Sequence, residues 1–134
     1  LIISDKISKN ISLEYNEKLI NLEKLDKAIH SANLKKVISD HSGGVNTLIG
    51  NDGVRLSGGE YKKIALARMF YHDKDVLIMD EATNSLDKES EEIIIAEMER
   101  IKRSKTVIII SHNIKTLSVC DLILKIDNKK INEK

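Results

Sequence analysis

The chain has 134 residues, enough for one domain or two closely packed subdomains with a buried core. Its composition, 41% hydrophobic and 32% charged, argues against disorder, and 22 basic against 21 acidic residues (net charge +1) give no electrostatic case for nucleic acid or anionic lipid. No apolar run approaches the ~18 residues of a membrane span, residues 1 to 6 lack the order of a signal peptide, and the single cysteine, Cys120, excludes an internal disulfide or a multi-cysteine zinc site and fits a reducing cytosol.

In chain order, Leu22, Leu25, Ile29 and Ala32 recur at helical spacing and predict one apolar helix face. Leu34, Val37 and Ile38 predict a short continuation. Gly43, Gly44, Gly50 and Gly53 fall in a polar stretch, so residues 41 to 56 read as loop, and residues 57 to 72 return to helix. Residues 75 to 80 read as a buried strand, and 88 to 103 as a helix with Ile94, Met98 and Ile101 on one face. Residues 106 to 110 form a second buried strand, with a short helix near Lys115. Two closing strands, 122 to 126 and 129 to 131, flank a turn at Asp127-Asn128. Two β-branched runs separated by a helix imply a parallel βαβ unit. The expectation is an all-helical front and an α/β back.

Four features carry chemistry. Leu56-Ser57-Gly58-Gly59-Glu60 stands where a loop becomes a helix. Ser57 with Glu60 three residues on spells a capping box, which is a sufficient structural reason for the pattern. The same geometry offers an anion seat: free N–H groups at Ser57, Gly58 and Gly59, the positive helix end, and two positions without side chains. The second feature is Asp80-Glu81, two carboxylates at the end of an apolar strand and so at the ligand-binding edge of a parallel sheet. Asp80 could hold Mg²⁺ through a water while Glu81 orients and deprotonates an attacking water. The third is Ser111-His112 at the end of the next strand, which would bring His112 to the same edge; His30, His41 and His72 read as structural or exposed. The fourth is Asn84-Ser85-Leu86-Asp87 before a helix, where Asp87 is a natural N-cap.

Taken together, these residues resemble the second half of an ATP-binding cassette (ABC) nucleotide-binding domain of the exporter type. Residues 56 to 60 look like its signature motif, with Glu60 where Gln is commoner. Residues 76 to 81 resemble the Walker B strand, Ser85-Leu86-Asp87 the D-loop and His112 the switch histidine. Thr47, Gly50 and Gly53 sit as in the exporter loop before the signature, with Leu48 and Asn51 replacing its usual acidic residues. Asp80-Glu81-Ala82-Thr83 also favours exporters, since importers more often have proline at the place of Ala82. Residues 7 to 11 resemble the segment after the Q-loop.

The resemblance implies an α/β fold: part of a P-loop NTPase (RecA-like) core with an ABC helical subdomain. Residues 1–72 would be the helical subdomain, ending in the signature helix, and 73–134 the C-terminal half of the core. It implies ATP and Mg²⁺ as ligands, and catalytic roles for Glu81 and His112. Asp80 would serve the metal, and Asp87 would link two sites across a dimer. Ser57, Gly58, Gly59 and Glu60 would meet the ATP of a second nucleotide-binding domain in trans. The other partner would be a transmembrane domain, which residues 12 to 56 would contact at the cytoplasmic face.

No Gly-x-x-x-x-Gly-Lys-Ser/Thr phosphate loop occurs; the nearest approach, Gly53 to Gly58, has Gly59 where lysine is needed. That loop, the Q-loop glutamine and the adenine-stacking aromatic belong upstream in the family, and the chain starts without methionine. A truncated segment is therefore expected, inactive alone. Two alternatives stand beside it: a non-catalytic half-domain supplying its signature in trans, and a soluble ABC ATPase of translation or repair. A core built from 73 to 134 alone also leaves an unpaired sheet edge and an apolar face, so the isolated chain is expected to be poorly soluble or partly molten.

Overall fold

The computed structural model describes residues 2–127 and 130–133. The front third is built around helix α4 (Gly58–His72), against which α1 (Ile7–Ser12) and α2 (Leu22–Ser31) pack. Ile7, Ile11 and Ile64 are fully buried, and each such side chain contributes about 1.5–3 kcal/mol relative to exposure. Helix α2 starts at Asn21, whose side chain accepts from the Lys24 N–H at 2.9 Å. Its buried stripe is Leu25, Ala28 and Ile29, continued by Ala32 just past the helix. Leu22, expected on that face, is instead exposed, because it lies in the first turn, one step N-terminal of the stripe. A separate short helix, α3 (Lys35–Ser39), buries Val37, with the fully buried Leu34 preceding it.

The all-helical expectation for this region needs correcting. Asp5–Lys6 (β1) pairs antiparallel with Leu48–Ile49 (β2), and a 3-10 turn at Gly44–Asn46 precedes β2. The supposed loop over 41 to 56 therefore carries a strand. Two-residue strands leave no readable period-two alternation, so their pairing depends on the tertiary contacts around them. Gly53 is required here, since any Cβ at this position would collide with the Leu48 carbonyl.

The back contains the predicted parallel unit. Strand β3 (Val76–Asp80) pairs with β4 (Thr106–Ile110) in a register that sets Asp80 opposite Ile110. The intervening helix α5 (Lys88–Ile101) buries Ile94, Met98 and Ile101 as its spacing required. Helix α6 (Ile114–Leu117) follows β4. Strands β5 (Leu124–Asp127) and β6 (Lys130–Glu133) pair antiparallel, with bounds one or two residues later than expected. The predicted turn reaches Asn128, which lies outside the described residues.

The strands are not buried on both faces. Leu77 and Met79 enter the core, whereas Val76, Ile78, Ile108 and Ile110 are exposed, because alternate side chains point to opposite faces and none of the described residues forms a layer over one of them. Leu122, Leu124, Ile126 and Ile131 are also exposed. Leu122, Leu124 and Ile126, together with β4, border a groove of about 700 Å³. Such continuous apolar surface is a liability in a free-standing protein. The isolated 134-residue chain is therefore expected to bind the dye ANS and to melt broadly by calorimetry; a sharp, two-state melt of a monomer would contradict this.

Candidate functional site

Two clusters of sequence-predicted residues lie at opposite ends of one turn. The first is the N-terminus of α4. Ser57 Oγ accepts from the Glu60 N–H at 3.3 Å, and Glu60 Oε2 accepts from the Ser57 N–H at 2.6 Å, so the capping box is formed. Ser57 therefore offers no free N–H, contrary to expectation. The N–H groups of Gly58 and Gly59 remain in the first helical turn, where no intrahelical acceptor reaches them. The two glycines also differ. A Cβ on Gly58 would meet nothing within 4 Å, whereas one on Gly59 would stand 2.7 Å from the Ser85 carbonyl oxygen. Gly58 faces open space, and Gly59 is packed on the loop before α5. Ser57, Gly58, Gly59, Lys63, Ser85 and Asp87 border one cleft of about 750 Å³.

The second cluster is at the carboxyl edge of β3 and β4. Glu81 leaves the strand with φ 46°, and its N–H still bonds the Ile110 carbonyl at 2.9 Å. This left-handed geometry costs a non-glycine residue roughly 1–2 kcal/mol and swings the side chain toward the neighbouring strand. Glu81 Oε1 lies 2.9 Å from His112 Nδ1, and Oε2 accepts from Asn84 Nδ2 at 2.7 Å. The hydrogen bond from His112, reinforced by that from Asn84, lowers the Glu81 carboxyl below its ordinary range. The ionised carboxylate can then orient and deprotonate a water. Strand pairing thus brings Asp80, Glu81 and His112 to one edge, as their positions predicted. His30 is exposed and His72 stacks edge-on with Tyr71, both on the helical front.

Asp80 is exposed, and among the described residues no protein group bonds its carboxylate. No group of three or more His, Cys, Asp or Glu with metal-binding geometry occurs among them either. A lone free carboxylate fits Mg²⁺, which keeps several waters and takes its other ligands from phosphates, better than an ion needing a protein cage.

A family model described as ABC transporter matches residues 4–84, which run from the segment before α1 to the turn after Glu81. This chain belongs to the ABC transporter family. It is similar to the ATP-dependent lipid A-core flippases of Cupriavidus pinatubonensis (34% identical over 99% of this chain) and Vibrio vulnificus strain CMCP6 (35% over 99%). It spans only 23% of the length of each. A solved bacterial Atm1-family ABC exporter with ATP bound superposes with a TM-score of 0.85 at 30% identity, over 98% of this chain and 23% of that one. The fold is accordingly part of a P-loop NTPase, and the chain corresponds to part of an exporter's nucleotide-binding domain. Among the described residues no helix is long and apolar enough to cross a membrane.

Within this ABC segment the structure adds residues that sequence reasoning missed. Lys63 Nζ lies 2.9 Å from Asp87 Oδ2, while Asp87 Oδ1 caps α5 by accepting from the Ser90 N–H at 2.9 Å. The Lys63 hydrogen bond, followed by those from Ser90, pulls the Asp87 carboxyl far below the usual carboxylate range. Asp87 is thus an N-cap, as its position predicted, and also one end of an ion pair. Lys63 left a trace in the sequence, a lysine at a buried helix position next to Ile64. Lys62 left none. Its Nζ donates to the carbonyls of Glu81 (2.9 Å) and Asn84 (2.6 Å), which helix periodicity cannot reveal.

Proposed function

We propose that this chain supplies the signature, Walker B, D-loop and switch-histidine parts of an ATP-hydrolysing domain that drives an ABC exporter. The observation that carries the reading is the Glu81–His112 pair at 2.9 Å beside the exposed Asp80 carboxylate. Glu81 orients a water and takes its proton as the oxygen attacks the γ-phosphorus, and His112 faces the γ-phosphate. Asp80 would hold Mg²⁺, which when bound would neutralise charge on the phosphates. Ser57, Gly58 and Gly59 serve the γ-phosphate of the ATP bound by a second nucleotide-binding domain, and Asp87 links the two sites. Glu60 contributes through the cap that fixes the helix start. In this reading 1–72 is the helical subdomain and 73–134 part of the RecA-like core. Residues 12 to 56 dock on cytoplasmic helices of a transmembrane domain, so the chain lies at the cytoplasmic face of the membrane.

The test is ATP hydrolysis by the full-length protein in liposomes. Hydrolysis is expected to need Mg²⁺ and to fall to background with EDTA. A full-length protein that stays in the aqueous phase and hydrolyses ATP there would instead favour a soluble ABC ATPase. Metal-independent turnover would remove Asp80 from its role.

A further inference from the structure

The turn that carries Glu81 is unusually dependent on one side chain outside it. Glu81 and Ser85 both adopt positive φ (46° and 68°), so the three residues Ala82, Thr83 and Asn84 run between two left-handed corners. The Glu81 carbonyl accepts from the Asn84 N–H at 3.3 Å, a long bond for closing such a turn. What completes the closure is the Lys62 ammonium. It donates to the Glu81 carbonyl at 2.9 Å and to the Asn84 carbonyl at 2.6 Å, joining the first and last residues of the turn. Asn84, held in this way, returns its side-chain amide to Glu81 Oε2 at 2.7 Å. A path of two short hydrogen bonds therefore leads from Lys62 through Asn84 to the carboxylate. Lys62 lies on α4, the helix whose N-terminus forms the signature cleft.

From this juxtaposition we infer that Lys62 is the positioning residue for Glu81: its ammonium staples the Glu81 and Asn84 carbonyls and so aims the carboxylate that activates water. Lys62 touches no reacting atom. A charged donor bonding carbonyls is stronger than a neutral one, and two carbonyls on one ammonium fix both ends of the turn at once. Without it both half-buried carbonyls lose a charged donor, and Asn84 and Glu81 regain the freedom to turn away from the reaction. The inference rests on the role proposed above for Glu81.

The experiment uses the full-length protein and compares Lys62→Met, Lys62→Arg, Glu81→Gln and the pair Lys62→Met with Glu81→Gln. Misplacing a catalytic group by about 1 Å can cost on the order of 10²-fold, so Lys62→Met is expected to lower kcat by about 10- to 10²-fold. The KM for ATP should stay within about threefold, as expected when an interaction matters in the transition state and not in substrate binding. Lys62→Arg, whose guanidinium can also donate to two carbonyls, should recover most of the loss. In the Glu81→Gln background Lys62→Met should cost almost nothing more, because the group it aims is already gone. A Lys62→Met enzyme with normal kcat, beside a Glu81→Gln enzyme that has lost turnover, would overturn the inference alone. Equal losses in kcat and in nucleotide binding, or full additivity with Glu81→Gln, would also overturn it by reducing Lys62 to a fold contact. Normal turnover in Glu81→Gln would instead sink the underlying assignment of Glu81.

Discussion

Glu81→Gln in the full-length protein is expected to lower ATP turnover by about 10²–10⁴, the usual share of a general base, while nucleotide binding is kept. The structure explains why the loss should be so selective. The carboxamide has the shape of the carboxylate, and its oxygen can still accept from Asn84 Nδ2, now at 2.7 Å from Glu81 Oε2. The left-handed corner is held by backbone groups, the Ile110 carbonyl and Lys62, none of which the substitution touches. What disappears is the ability to accept a proton. Single-turnover hydrolysis and equilibrium ATP binding separate the two effects. Because the proposed arrangement sets ATP between two nucleotide-binding domains, a variant that binds ATP without cleaving it should also accumulate an ATP-bound dimer. Near-normal turnover would take the base role away from Glu81.

The acid side of the pH profile follows from the same contacts. His112 and Asn84 hold the Glu81 carboxyl below its ordinary value, which favours its ionised form. A base with a lowered pKa stays deprotonated as the pH falls through the ordinary carboxylate range. Loss of turnover between pH 7 and 5 therefore has to be assigned to another group.

The site was more legible than the frame around it. Asp80, Glu81 and His112 could be brought together from sequence because strand ends in a parallel sheet share an edge, and the register that aligns Asp80 with Ile110 does so here. The capping box was legible because its two partners are three residues apart and local in the chain. The β1–β2 pair was not, because its partners lie more than forty residues apart and each strand is too short to show a period. Lys62 and Lys63 were missed for a related reason. Their partners, in the turn around Glu81 and at Asp87, are chosen by how α4 crosses the sheet edge, and a lysine carries no mark of its acceptor. The strands' open face was the opposite case. The strands themselves read as buried, but an uncovered apolar face was expected of a core built from 73 to 134 alone, and Val76, Ile78, Ile108 and Ile110 are exposed on it.

The two signature glycines should respond differently to substitution, and that difference can establish whose ATP they serve. At Gly58 a side chain meets open space and φ is not positive, so Gly58→Asp should leave the fold intact. An acidic residue in the first helical turn even complements the helix dipole, by about 0.3–1 kcal/mol at an exposed site. The same carboxylate would stand in the anion seat and repel a phosphate. The full-length Gly58→Asp protein is therefore expected to melt like the wild type and to lose about 10²-fold or more in ATP turnover, the scale of removing one preorganised anion donor. Gly59→Ala is the contrasting case, since its Cβ would press on the Ser85 carbonyl oxygen at 2.7 Å and the turn before α5 must shift. Mixed dimers complete the argument. If each signature serves the partner's ATP, pairing a Gly58→Asp protomer with a Glu81→Gln protomer puts both lesions in one site and leaves the other whole. If each signature serves its own ATP, the same mixture damages both sites. Substantial residual turnover in the mixed dimer supports the trans arrangement, and background turnover contradicts it.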